Sequence, residues 1–215
     1  MNISENINQF KKELGDVTLV AISKTKPEED ILEAYHAGQR IFGENKIQEM
    51  TEKWEQLPKD IEWHMVGHVQ RNKVKYMAPF VGLIHAVDSF KLLKEVNKEA
   101  AKNDRIINCL LQIKIAEEDS KFGISKEEAR EILESAESAK LNNVKITGLM
   151  GMATFTEDEA QVKQEFLYLK RMLDELKNNF PNLKILSMGM SGDYKIAVEC
   201  GSNMVRIGSA IFGER

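Results

Sequence analysis

Residues 17–27 read VTLVAISKTKP and residues 28–38 continue EEDILEAYHAG. An apolar, β-branched run breaks into polar residues, Pro27 opens a new segment, Glu28, Glu29 and Asp30 fill its first turn, and Gly38 closes it. Proline and acids at a helix start and glycine past its end satisfy the orphan N–H and C=O groups there, so the stretch predicts a strand followed by a helix. The strand half recurs in RIFGEN from Arg40, IEWHMVG from Ile61, GLIHAVD from Gly82 and INCLLQIKI from Ile107. It returns in ITGLMGMA from Ile146, KILSMGM from Lys184 and NMVRIGSAIF from Asn203. Amphipathic segments separate these runs. One puts Ile47, Met50, Trp54 and Leu57 on a single stripe, and another carries Val162, Phe166, Leu169, Leu173 and Leu176 inward. Ser125 with Glu128, and Thr156 with Glu159, read as capping boxes.

Strict alternation of strand and helix implies a parallel sheet, because parallel neighbours require a crossover. Eight such units predict an α/β fold closed into a (β/α)8 TIM barrel, a form that typically needs about 250 residues and has a lower limit near about 200. The 215 residues sit close to that limit, and no linker or low-complexity tract divides them, so residues 1–215 are expected to form a single domain. An open doubly wound sheet is the competing fold, but the first strand-to-helix turn, SKTKP, carries no glycine fingerprint for a dinucleotide. Ahead of the barrel, residues 1–16 place Ile3, Ile7, Phe10 and Leu14 at helical spacing and predict an extra helix packed on it.

Composition narrows the function. A net charge of −4 argues against nucleic-acid binding, which needs clustered basic surface. No apolar run reaches the roughly 18 residues that span a bilayer, and the N-terminal helix lacks a signal-peptide core. Cys109 and Cys200 are isolated in apolar stretches, so a reducing, cytoplasmic setting is expected. His64 and His68 have the i, i+4 spacing of a metal pair, yet on a strand that spacing separates them by roughly 13 Å, so no metal site is read. GMSG at Gly189–Gly192 lacks the second glycine of a nucleophile elbow, and no histidine follows His85 to complete a hydrolase triad.

Chemistry in such barrels sits at the C-terminal ends of the strands. Lys24 and Lys26 occupy that place after the first strand and share one parity, so alternation does not choose between them. Lys26 precedes Pro27 and is assigned to the helix cap, which favours Lys24 as a reactive amine. By themselves the residues leave this evenly balanced against two solvated loop lysines. On the last strand Val205 and Ile207 suit packing against outer helices, which aims Arg206 into the barrel, where a guanidinium is costly without acceptors. Gly208 and Ser209 then begin a turn of the kind whose backbone N–H groups bind phosphate, and Ser191 follows the seventh strand. Barrels commonly bind phosphate in these two loops. Strand-ending glycines and an arginine paired with a core carboxylate remain the alternative.

The motifs AISKTKP, FGEN, WHMVGHVQRNK, HAVDS, SKFG, GLMGMA, SMGMSGDY and MVRIGSAIFG, in this order between Val17 and Gly213, together resemble the pyridoxal phosphate homeostasis (YggS/PROSC) family. That family looks like the barrel domain of alanine racemase standing alone, and acts as a carrier or regulator of pyridoxal 5′-phosphate (PLP). The resemblance implies that Lys24 is the Schiff-base lysine. It also implies that Arg206 meets the pyridine nitrogen, that Gly208, Ser209 and Ser191 hold the phosphate, and that Asn45 lies near the cofactor. GMAT in place of a proline-bearing stretch and the third position of SKFG depart from the family pattern. An arginine opposite the ring nitrogen weakens the ring as an electron sink. Racemase chemistry also needs an acid/base group facing the lysine, a tyrosine from a second domain in the racemases. Here Tyr35, Tyr76, Tyr168 and Tyr194 all lie in helix-like segments, and no residues remain for that domain. A carrier rather than an enzyme is therefore expected, as a cytoplasmic monomer serving PLP-requiring apoenzymes. A weak amino-acid racemase and a cofactor-free Schiff-base aldolase are the alternatives.

Overall fold

The computed structural model describes residues 2–117, 123–138 and 140–214. It opens with α1 (Ile3–Leu14), β1 (Thr18–Ile22), α2 (Glu28–His36), β2 (Ile41–Glu44), α3 (Ile47–Gln56) and β3 (Glu62–Met65). A 3-10 turn at Arg71–Lys73 leads to α4 (Val74–Met77), β4 (Leu83–Val87), α5 (Phe90–Lys102), β5 (Ile107–Ile113), α6 (Lys126–Ser138) and β6 (Val144–Gly151). The chain ends through α7 (Glu159–Lys177), β7 (Ile185–Ser187), α8 (Tyr194–Glu199), β8 (Met204–Ile207) and α9 (Ser209–Phe212).

The strands pair in sequence order and β8 returns to β1, closing a parallel barrel. This is the (β/α)8 TIM barrel expected from the alternation. The closing register sets Val20 beside Arg206 and Ala21 beside Ile207. Val20, Leu83, Leu110, Met150 and Met204 fill the barrel interior, while Val205 and Ile207 belong to the separate layer between strands and helices. The parity argument thus holds, and Arg206 points inward.

On α1, Ile3, Ile7, Phe10 and Leu14 are the buried residues, and the helix lies against α2, β1 and α9. Asn6 Nδ2 donates to the Ile211 carbonyl at 2.9 Å, tying this helix to the turn after β8. Ile7 is fully buried, and its truncation to alanine would cost about 2–5 kcal/mol. On α6 the Ser125–Glu128 capping box forms reciprocally, Ser125 N donating to Glu128 Oε2 at 2.8 Å and Glu128 N to Ser125 Oγ at 3.1 Å.

The capping box expected at Thr156 does not form. Asp158 caps α7, its Oδ1 accepting from Ala160 N at 3.0 Å and Gln161 N at 3.1 Å, while Thr156 Oγ1 accepts from Asp158 N. A carboxylate at that position also meets the positive end of the helix dipole, an advantage threonine lacks. Ser120, Lys121 and Phe122 of the SKFG motif lie outside the described residues.

Both cysteines are free and buried, and burial pushes the Cys109 thiol up to about 12 and raises that of Cys200. Since the thiolate is the reactive form, native protein at about pH 8 should leave Ellman's reagent unconsumed, and unfolding in guanidinium should release both thiols. Rapid reaction of the native protein would contradict this packing.

Candidate functional site

The loops after β1, β6, β7 and β8 surround a hollow of about 440 Å³ at the C-terminal ends of the strands. Lys24, Ser191, Arg206, Gly208 and Ser209 all line it, joined by Thr154, Phe155 and Asp193. Its size falls within the range of small-ligand sites, roughly 300–1,000 Å³. Asn45 is not in this group. It lines a separate hollow with His68 and Lys73.

Lys24 and Lys26 part company after sharing a parity. Lys26 Nζ donates to the carbonyls of Phe212 and Glu214, each at 3.0 Å, so it fastens the C-terminal segment to the β1 loop. Lys24 stays at the hollow, half-buried.

The residues beside Lys24 are anchored from behind by a cluster that sequence reasoning missed. Ser23 Oγ donates to Glu44 Oε1 at 2.7 Å, and Thr25 N donates to Glu49 Oε1 at 2.5 Å. Lys53 Nζ, buried under α3, donates to the Ser23 carbonyl, Glu44 Oε1 and Glu49 Oε1 at 2.7, 2.7 and 2.8 Å. Thr25 has φ +63, a conformation that costs a non-glycine residue energy and persists only when its surroundings enforce it. Burial raises the Glu44 carboxyl above the ordinary carboxylate range against the opposing pull of Lys53. For Glu49 burial pushes upward too, but hydrogen bonds from Lys53 and Thr25 and the nearby cations outweigh it, so its carboxyl is lowered. The available sequence signal was Lys53 itself, a lysine between Met50 and Leu57 on an otherwise apolar helix stripe.

Arg206 is buried at the end of β8 and satisfied on three sides. Its Nη1 donates to Ser187 O at 2.9 Å and Ser187 Oγ at 2.7 Å, and its Nη2 donates to Gly151 O at 3.1 Å. Burial lowers it to about 10, so it keeps its proton at neutral pH. Its partners are a hydroxyl and two carbonyls rather than the core carboxylate of the alternative reading.

Across the hollow, Ser191 Oγ accepts from Gly208 N at 3.2 Å and Ala210 N at 3.5 Å, so these N–H groups converge on one oxygen position. Gly189 turns the chain out of β7 with φ +98, and a Cβ there would come within 2.6 Å of the Ala197 Cβ. Asp193 Oδ1 accepts from Met190 N and closes the same turn. Phe155 stands at the rim, 94% exposed.

The profile of the family described as alanine racemase, N-terminal domain, matches residues 1–215. A human pyridoxal phosphate homeostasis protein is 42% identical over 210 residues, covering 92% of this chain and 76% of its own. The protein of that name from Aquifex aeolicus is 40% identical over 199 residues, covering 92% and 86%. PipY of Synechococcus elongatus, solved without PLP, superposes with a TM-score of 0.91 at 34% identity, covering 98% of this chain and all of that one; its PLP-bound structure gives 0.89.

Replacing Lys53 with methionine should cost about 3–5 kcal/mol in urea unfolding, because Glu44 keeps its place with no cation beside it. Its carboxyl would rise further, so the folded form would bind the extra proton. The contribution of Glu44 to the variant's stability should be greatest below the ordinary carboxylate range and be lost as pH climbs through the raised value. An unchanged midpoint at neutral pH would show that the cluster does not hold the loop.

Proposed function

The chain belongs to the pyridoxal phosphate homeostasis protein family, and on that premise we propose that it binds pyridoxal 5′-phosphate at Lys24 and serves as an intracellular carrier and buffer of that cofactor. One observation carries the reading. A half-buried amine, a protonated guanidinium and the Gly208 N–H paired with the Ser191 hydroxyl share a single hollow.

The donor set suits the cofactor. Bound PLP supplies an aldehyde that condenses reversibly with a primary amine and a ring that can act as an electron sink. Lys24 offers the amine, held in place by the Ser23 and Thr25 anchors on either side. Gly208 N, Ala210 N and the Ser191 hydroxyl offer donors for a phosphate oxygen, with Ser209 alongside. Arg206 offers a hydrogen bond to the ring nitrogen and withholds its proton, which disfavours turnover chemistry.

The same residues favour a carrier over a racemase. A racemase requires a second acid/base group facing the lysine. No described tyrosine lines the hollow, and two are engaged elsewhere: Tyr35 donates to Asp60 and Tyr194 to Glu13. Asp193 lines it but is bound to its own turn. The protein acts in the cytoplasm as a monomer and passes PLP to apoenzymes. No helix among the described residues is long and apolar enough to cross a membrane, and the two free thiols suit a reducing compartment.

Purified protein mixed with PLP should turn yellow, and borohydride should fix the cofactor on the peptide containing Lys24. Lys24→Ala should abolish the colour, and Arg206→Ala should weaken binding by about tenfold or more, the size of a lost hydrogen bond to a charged group. Label on another lysine would overturn the assignment. Solvent deuterium entering amino-acid Cα positions at enzymatic rates would overturn the carrier reading.

A further inference from the structure

Behind Arg206 a line of hydrogen bonds crosses the barrel interior to the N-terminal ends of the strands. Arg206 Nη1 donates to Ser187 Oγ at 2.7 Å, and Ser187 Oγ lies 3.0 Å from His85 Nδ1. His85 Nε2 lies 3.0 Å from His64 Nδ1, and His64 Nε2 lies 3.0 Å from Glu62 Oε1. The line draws on β8, β7, β4 and β3, and its link between β7 and β4 spans the barrel, since those strands are not neighbours. Arg206, Ser187, His85 and His64 are buried, while the Glu62 side chain is half-exposed at the start of β3.

Donor chemistry gives this line a direction. Arginine can only donate and an ionised carboxylate can only accept. Burial, with the neighbouring His64 and Arg206, holds His85 well below the ordinary imidazole range, so it is neutral. When each imidazole carries a single proton, the four links have one arrangement. Arg206 donates to Ser187, Ser187 to His85, His85 to His64 and His64 to Glu62. Each hydroxyl or imidazole that donates onward becomes a better acceptor for the group behind it.

Stability alone does not require such a line. TIM-barrel interiors are usually filled by branched aliphatic side chains, and well-packed apolar replacements of buried polar networks are often neutral or stabilising. The Ser187 and Gly151 carbonyls already accept from the guanidinium.

We propose that Ser187, His85, His64 and Glu62 are positioning residues for the cofactor ring, fixing the guanidinium of Arg206 and carrying the influence of a distant carboxylate to it, so that they set how firmly Arg206 holds the ring nitrogen. This rests on the reading that Arg206 faces that nitrogen.

The test uses full-length protein loaded with PLP labelled with nitrogen-15 in the ring, with two readouts: the ring-nitrogen resonance and the dissociation constant. Ser187→Ala should shift the resonance and weaken binding by about tenfold. Glu62→Ala, at the half-exposed end, should shift it the same way and weaken binding by about threefold, within the range for residues that touch no ligand. It decides the matter alone if Ser187→Ala does not fold. Both effects should vanish in an Arg206→Ala background, as expected for groups acting through one partner. Unchanged resonance and affinity in Glu62→Ala, or effects that persist without Arg206, would overturn the proposal. A different result, Arg206→Ala itself leaving both readouts unmoved while Lys24 still takes up the cofactor, would instead sink the reading of Arg206 beneath it.

Discussion

A guanidinium inside a closed barrel must be given acceptors, and much of this interior answers that demand. Losing water without replacement partners would make the Arg206 charge prohibitively costly. The Ser187 and Gly151 carbonyls and the Ser187 hydroxyl take up its donors on the inner side. The hydroxyl is itself backed by two histidines and a carboxylate. The fold thereby presents a fixed, protonated cation to the hollow that Lys24 also faces.

The amine is treated differently from the cation. Among the described residues no side chain grips Lys24; instead its neighbours are gripped. Ser23 and Thr25 are tied to Glu44, Glu49 and the buried Lys53, and Thr25 is held at a positive φ. That division suits a carrier. The backbone around the amine is fixed, and the proposed anchors for ring and phosphate come from other strands. No described tyrosine lines the hollow to serve as an opposing acid/base group.

Much of this was legible in the sequence because it follows from periodicity. Alternating runs gave the barrel, and the β-branched pair Val205 and Ile207 turned Arg206 inward. Pro27 singled out Lys26 as the lysine to set aside, although its partners are carbonyls near the C-terminus rather than the helix cap. What stayed hidden depends on contacts between distant strands. Nothing in the spacing of His64, His85 and Ser187 tells that they touch across the lumen, because strand tilt and register decide it. Thr156 and Asp158 competed for one cap, and a pattern match could not weigh the carboxylate against the hydroxyl. Asn45 is linked to the cofactor only through the resemblance of FGEN to the family, and the turn after β2 sets it at the neighbouring hollow.

The most direct test of the whole account is a crystal structure of this protein grown with pyridoxal 5′-phosphate. The account predicts density running from Nζ of Lys24 into the cofactor, phosphate oxygens against Gly208, Ser209 and Ser191, and the Arg206 guanidinium within hydrogen-bonding distance of the ring nitrogen. Cofactor attached to a different lysine, or a phosphate bound away from the β7 and β8 loops, would contradict it.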